Sequence, residues 1–135
     1  MARVLIDTSA WIEFYHSQGD KRVKRALATA FEKDEIAVVA PIIVELLGGA
    51  KTQKVYDLLW QDLRQLEILP LGESESATAS RLAWSLARVG KRIPTIDLLI
   101  AGAVQVHGYE LWHFGDKHFA MASSVGKLLQ RDLKV

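Results

Sequence analysis

No cysteine occurs in this sequence of 135 residues. Its absence excludes disulfide scaffolds, Cys-ligated zinc, iron–sulfur clusters and thiol catalysis, and it agrees with a cytoplasmic protein. An excess of one charge is also lacking, because 17 Lys and Arg residues stand against 16 Asp and Glu residues and leave a net charge of +1. This balance excludes a basic surface over the whole chain for nucleic acid, although a local basic patch remains open.

A long hydrophobic run is missing as well. The longest apolar stretch, from residue 36 to residue 44, contains Pro41 and ends at Glu45, whereas a membrane-spanning helix needs ~20 residues. The apolar residues near the N-terminus meet Asp7 too early to form the core of a signal peptide. We therefore predict a cytoplasmic protein without a membrane partner.

Half of the residues are apolar, and at this length they predict a single domain over residues 1–135. Short β-branched runs alternate with segments of helical periodicity, which predicts an α/β fold with three layers, α/β/α, and a mostly parallel central sheet. The predicted strands are 4–6, 36–39, 67–69, 110–114 and 133–135, and the predicted helices are 10–17, 21–33, 42–47, 51–65, 74–89, 96–107 and a weak helix after Asp116.

Four acidic residues stand where their neighbours predict burial. Asp7 closes the first strand, and Asp116 follows the strand that ends at Phe114. Glu45 and Asp97 interrupt apolar helical segments. Each acid taken singly is explained by a helix cap, a helix dipole, an ion pair or a turn. Because ligands of open α/β sheets bind at the carboxyl ends of the strands, the acids together favour one shared site.

Clustered carboxylates repel one another and need a cation to hold them. Lysine or arginine could serve, but no basic residue interrupts the apolar segments around Glu45 and Asp97. A hard divalent cation with oxygen ligands, Mg²⁺ or Mn²⁺, fits a set of ligands without cysteine or a histidine pair. Such a metal site is typical of enzymes that hydrolyse phosphodiester bonds.

Four motifs carry a resemblance to a known family. They are VLIDTSAWIEF at residues 4–14, PIIVELLGGA at 41–50, TIDLLIA at 95–101 and GDKHF at 115–119. In this order they resemble the acidic motifs of PIN domains, in particular those of the VapC toxins of bacterial toxin–antitoxin pairs. The resemblance extends over residues 3–135.

The resemblance implies an Mg²⁺-dependent endoribonuclease with a PIN-like fold, a small VapB-type antitoxin as inhibitor, and a homodimer. Its catalytic and metal-binding acids would be Asp7, Glu45, Asp97 and Asp116. Many members carry Thr or Ser two residues before the fourth acid, where this chain has Phe114.

Other residues are candidates for contacts to substrate, water or a partner. Thr8, Ser9 and His113 could contact the substrate or a water molecule, and His113 is the only histidine that we expect near the acids. The basic run at 21–25 and the group Arg88, Lys91 and Arg92 could contact RNA phosphates. Large apolar side chains in the first half of the chain predict a groove for an antitoxin segment; they are Trp11, Phe14, Tyr15, Leu58, Leu59 and Trp60.

The sequence leaves three alternative functions open. A housekeeping PIN-type nuclease for RNA processing would have the same fold and the same acids. An inactive PIN-type interaction module is less favoured because all four acids are present. A phosphate-regulated receiver domain is disfavoured because such domains usually have a pair of acids after the first strand, where this chain has only Asp7.

Overall fold

A computed structural model describes residues 2–135; Met1, which the predicted domain includes, lies outside the described residues. The order of the elements is β1 (Arg3–Ile6), α1 (Thr8–Tyr15), α2 (Lys21–Lys33), β2 (Glu35–Val38), α3 (Ala40–Gly48), α4 (Gln53–Leu63), β3 (Glu67–Ile68), α5 (Glu73–Arg88), α6 (Thr95–His107), β4 (Glu110–His113), α7 (Lys117–Val125) and β5 (Gln130–Asp132).

The five strands form one sheet in the order β3-β2-β1-β4-β5, and every neighbouring pair is parallel. The three consecutive residues Val4, Leu5 and Ile6 of β1 have no exposed surface. Successive side chains of a strand point to opposite faces, so helices must cover both faces of the sheet. The predicted α/β/α fold with a parallel sheet is thereby confirmed.

The predicted position of the last strand is wrong by three residues. The apolar pattern favoured 133–135, whereas β5 consists of the polar residues Gln130–Asp132, paired through their backbone with β4. Leu133 is buried beyond the end of the strand, and its N–H donates to the carbonyl of His113. A short edge strand is thus set by its backbone hydrogen bonds, and its side chains carry little signal.

The topology brings three acidic segments to one edge of the sheet. β1 and β4 are parallel neighbours, so the residues that follow them emerge at the same edge. Asp7 directly follows β1, and Asp116 follows β4 after a turn at Gly115, whose φ of 69° favours glycine. Asp97 lies in the first turn of α6. Among residues 2–135, no helix is long and apolar enough to cross a bilayer.

Candidate active site

Asp7 is a buried carboxylate at the edge of the sheet, with only 6% of its surface exposed. It caps α1: its Oδ2 accepts hydrogen bonds from the backbone N–H of Ser9 at 3.0 Å and from the Ser9 hydroxyl at 2.7 Å. Burial raises the pKa of Asp7 above its usual value, while the two bonds from Ser9 act in the opposite direction. The cost of placing a charge here is therefore only partly offset by the protein itself.

Ser9 also connects Asp7 to the residue that follows β4, the strand beside β1 in the sheet. Its Oγ accepts a hydrogen bond from the backbone N–H of Phe114 at 3.0 Å. Phe114, whose side chain has no hydroxyl, therefore contacts the Asp7 side of the site through its backbone N–H.

Asp97 and Asp116 face each other across His118. The His118 Nδ1 lies 3.0 Å from Asp97 Oδ2 and 3.2 Å from Asp116 Oδ1. One ligand atom of each of these three residues lies within 4.8 Å of the other two. Burial, together with the negative charges of Asp116 and Asp7, raises the pKa of Asp97 to about 6. The protein therefore forces three carboxylates together at a cost in free energy.

This cost predicts an unusual pH dependence of stability in the metal-free protein. Because the folded state holds the proton of Asp97 up to about pH 6 and the unfolded chain loses it near pH 4, ionisation of Asp97 lowers the free energy of unfolding as the pH rises through this window. Asp97→Asn should remove this loss and be more stable than the parent at pH 7 by about 1 kcal/mol, after a discount for solvent screening.

The measurement is urea denaturation with a chelator at pH 5 and pH 7. Glu32→Gln, at an exposed position on α2, serves as the control and should follow the parent at both pH values. Equal stability of Asp97→Asn and the parent at both pH values would show that ionisation of Asp97 does not lower the free energy of unfolding.

The structure places Glu45 apart from this cluster. The carboxylate is exposed rather than buried, which corrects the prediction for this residue. Its Oε1 accepts a hydrogen bond of 3.3 Å from the hydroxyl of Thr8, the neighbour of Asp7. The apolar neighbours of Glu45 led to a wrong prediction of burial because α3 also has an apolar side that is exposed, on which Val44 is 69% exposed. Glu45 therefore lies at the rim of the site and is linked to it through Thr8.

His113 supports the turn of the fourth acid. Its side chain is buried, and its Nδ1 accepts a hydrogen bond from the backbone N–H of Asp116 at 3.1 Å. Because a backbone N–H can only donate, the proton of the ring is on Nε2, which lies 2.5 Å from Gln130 Oε1. Both ring nitrogens are engaged within the protein, and His113 positions Asp116 rather than a water molecule or a substrate.

His118, which sequence reasoning did not select, is the histidine that contacts the acids. Asp116 caps α7 and accepts a hydrogen bond from the backbone N–H of His118 at 2.9 Å. A residue two positions after a capping Asp is brought back beside the cap by the first turn of the helix. The spacing of Asp116 and His118 in the motif GDKHF predicts this contact, but only once Asp116 is recognised as the cap of α7.

Burial alone does not distinguish these acids from a structural one. Glu75 is 4% exposed, yet it accepts hydrogen bonds from the Gly72 N–H at 2.7 Å and lies 3.1 Å from His107 Nε2. Its pKa is lowered, first by the Gly72 N–H. Glu75 is satisfied by the protein, whereas Asp7 and Asp97 are held with raised pKa values.

The donor set fits a divalent cation. Asp97 and Asp116 offer carboxylate oxygens and His118 offers a nitrogen, all within 4.8 Å of one another. Asp7 lies near enough for its charge to raise the pKa of Asp97. Oxygen ligands suit both Mg²⁺ and Mn²⁺, and an imidazole nitrogen suits Mn²⁺ better than Mg²⁺. A cation here would also offset the burial of the Asp97 charge and its repulsion by Asp116 and Asp7, the causes of its raised pKa.

An apolar groove opens next to Glu45. It has a volume of about 590 Å³ and lies between α1, α3 and α4; its lining includes Trp11, Ile12, Tyr15, Glu45, Leu46, Val55 and Leu59. Ile12 and Val55 are 51% and 41% exposed. Trp11 is fully buried, with its ring 5.9 Å from that of Tyr15 and 6.1 Å from that of Phe14. Three of the six side chains predicted for a groove line it, Trp11, Tyr15 and Leu59, whereas Phe14, Leu58 and Trp60 lie outside its lining.

The basic run at 21–25 is partly used by the fold. Arg22 pairs with Asp20 at 3.2 Å and donates to the carbonyl of Lys134 at 3.0 Å. Lys24 Nζ donates to the carbonyl of His16 at 2.6 Å. Two of its four cations thus have partners within the protein, which weakens this run as an RNA contact.

Comparison with known proteins identifies the family. The PIN domain family matches residues 4–123. Ribonuclease VapC18 of Mycobacterium tuberculosis is 28% identical over 126 residues, which cover 90% of this chain and 89% of that protein. VapC ribonuclease Mb1587 of Mycobacterium bovis is 30% identical over 115 residues, which cover 82% of this chain and 84% of that protein.

The fold agrees with this assignment. The structure of VapBC2 from Rickettsia felis, bound to a DNA fragment from its promoter, superimposes with a TM-score of 0.78 at 19% identity and covers 96% of this chain and 98% of that chain. At this identity the likeness concerns the fold alone. With a match over most of its length and the acidic motifs in order, this chain belongs to the PIN domain family.

Proposed function

We propose that this chain is a single-domain, metal-dependent endoribonuclease of the cytoplasm and the toxin of a VapBC-type toxin–antitoxin pair. The observation that carries the proposal is the convergence of Asp7, Asp97 and Asp116 at one edge of the sheet, where burial and the charges of the other two acids raise the pKa of Asp97. The names of the relatives support it, because both are ribonucleases of the VapC type.

The metal site of this proposal consists of three acids and one histidine. Asp7, Asp97 and Asp116 would hold the cation, Mg²⁺ or Mn²⁺, with His118 as a fourth side chain. When bound, such a cation activates the water nucleophile and stabilises the charge on the scissile phosphate.

The chain itself supplies the fixed geometry. Ser9 holds the Asp7 carboxylate and the backbone of Phe114 together, and His113 holds the turn of Asp116. Asp97 is fixed by its place in the first turn of α6. Glu45, exposed and bound by the Thr8 hydroxyl, is assigned to orienting the substrate or the attacking water from the rim.

Removal and return of the metal tests the function. We expect a chelator to abolish cleavage of single-stranded RNA and Mg²⁺ or Mn²⁺ to restore it. Mn²⁺ should act at the lower concentration, because the His118 nitrogen is a better ligand for it, and His118→Asn should narrow this difference. Cleavage rates are measured against the concentration of each metal. Chelator-resistant cleavage would indicate a metal-free mechanism, and no cleavage under any condition would contradict the nuclease.

The proposed partner is a VapB-type antitoxin that binds in the groove between α1, α3 and α4. The structural neighbours include VapBC complexes, and Val44 and Ile12 leave an apolar surface exposed beside Glu45. An antitoxin segment bound in this groove would end close to the acids of the site, and a basic side chain of that segment could form an ion pair with them. The proposal also includes a homodimer, which light scattering of the purified toxin would test.

A further inference from the structure

The exposed face of α5 carries an aromatic ring between two arginines. The Trp84 side chain is 53% exposed. The guanidinium carbon of Arg81 lies 5.3 Å from the centre of its ring, and that of Arg88 lies 5.0 Å from it. We call Arg81, Trp84 and Arg88 the α5 strip. Three and four residues apart, they share one helix face and span ~10 Å along the axis.

The charge around the strip has one sign. From residue 76 to residue 96 the sequence contains four cations, Arg81, Arg88, Lys91 and Arg92, and no acid. All four are exposed. Within residues 2–135 none of them forms an ion pair. The chain as a whole is nearly neutral, so this segment between Glu75 and Asp97 is a local concentration of positive charge.

Tight packing fixes the strip relative to the acids. The opposite face of α5 is buried through Ala79, Leu82 and Leu86. Gly102 of α6 lies so close that a Cβ there would meet the carbonyl oxygen of Glu75 at 2.6 Å. His107 meets Glu75 and Gly102 meets Ala79, so α5 and α6 run antiparallel. The C-terminal half of α5 therefore lies beside the first turn of α6, which carries Asp97.

The strip continues into an open cavity of about 560 Å³ at its Arg81 end. Its lining mixes apolar side chains, among them Leu82, Val106 and Val125, with the polar and basic side chains of Thr78, Arg81, Ser85, Gln105 and Lys127. This volume is in the range of small-molecule sites, and its donors suit a phosphate and the edge of a base.

We propose that the α5 strip is a binding surface for single-stranded RNA and holds the nucleotides that flank the cleaved bond. A base takes the place of one guanidinium group over the Trp84 ring, and the two arginines bind the phosphates on either side. Lys91 and Arg92 continue the positive charge towards Asp97. The inference rests on the nuclease function proposed above and adds the surface on which the substrate lies.

Two other occupants fit the strip less well. A second copy of this chain docked face to face would bring the arginines of one strip against those of the other. An acidic protein segment would satisfy the charges but would not need an aromatic platform between them. Both occupants are outcomes of the experiment.

The test measures affinity for RNA in the full chain carrying Asp97→Asn, which prevents cleavage. The probe is a fluorescein-labelled single-stranded RNA of 20 nucleotides and mixed sequence, and the readout is anisotropy over a series of salt concentrations. We expect Trp84→Ala to raise the Kd at least ~5-fold through the loss of one stacked base. Arg81→Gln with Arg88→Gln should lower the slope of log K against log salt by about 1.4, because each phosphate contact on a single strand contributes ~0.7.

Matched controls remove the same groups elsewhere. Lys21→Gln with Arg25→Gln deletes two exposed charges of α2, and Trp60→Ala deletes an aromatic side chain that is 43% exposed on α4. Both should leave Kd and slope within ~2-fold of the parent. Circular dichroism of each variant verifies the fold.

Three results would overturn the proposal. The first is that the variants of the α5 strip bind RNA as tightly as the control variants do. The second is weakened binding of the antitoxin with RNA affinity unchanged, which would identify a protein surface. The third is a change from dimer to monomer in light scattering with RNA affinity unchanged, which would identify an interface between copies. Metal-dependent cleavage by the wild-type chain is measured in parallel, so a failure of the nuclease function is seen separately from a failure of the strip.

Discussion

Asp97→Asn is expected to lower the rate of RNA cleavage by at least about 100-fold while the fold is kept, because it removes a charged ligand from the centre of the acidic cluster. The amide has nearly the volume of the carboxylate, and the strain that raises the pKa of Asp97 disappears with its charge. The measurement is single-turnover cleavage at saturating Mg²⁺, with thermal denaturation to verify folding. Full activity of the purified variant would exclude Asp97 from the site.

The geometry also ranks the other acids. Because Asp116 follows a glycine turn and not an apolar element, the sequence alone predicts that it contributes least, but in the structure it shares His118 with Asp97. Glu45 was expected to be buried and is exposed. We therefore expect Asp116→Asn to lose nearly as much activity as Asp97→Asn, and Glu45→Gln to lose roughly ten times less than either, as a residue outside the ligand set does. The reverse order for Asp116 and Glu45 would contradict the proposed ligand set.

Ile12→Glu is expected to weaken binding of the antitoxin by at least about 10-fold. The side chain is 51% exposed and lines the groove between α1, α3 and α4, and burying an isoleucine on binding stabilises a complex by ~1.5 kcal/mol or more. A glutamate there would lose this contribution and bury a charge. Isothermal titration of the toxin variant with the purified antitoxin measures the effect, and inhibition of RNA cleavage provides a second readout.

The control for this variant is Leu129→Glu, which places the same charge at a side chain that is 67% exposed outside the groove lining. Equal affinity of Ile12→Glu and Leu129→Glu for the antitoxin would show that the segment binds elsewhere. Trp11→Ala is unsuitable for this test. Trp11 is fully buried against Tyr15 and Phe14, and its truncation costs ~3–5 kcal/mol of stability, so a lost complex would report on unfolding.

The sequence by itself determined the α/β class, the parallel sheet and the four acidic motifs. These features depend on local properties: β-branched runs form buried strands, and Asp7 and Asp116 follow strands whose carboxyl ends must share an edge once the strands are parallel. α2 was predicted at the bounds that it has. The family resemblance followed from the order of the same motifs, and the match over residues 4–123 confirms it.

Only the tertiary structure decided which side chains meet at that edge. Apolar neighbours predicted burial for Glu45, but a helix can be apolar on a side that faces no part of its own chain, as Val44 shows. Two histidines lie near Asp116 in sequence, and their roles depend on directions that a sequence does not contain. His113 points into the core and binds the backbone of Asp116, whereas the cap of α7 turns His118 back onto Asp97. The sequence therefore predicts which helices and strands form the site, and their packing determines which side chains meet there as ligands.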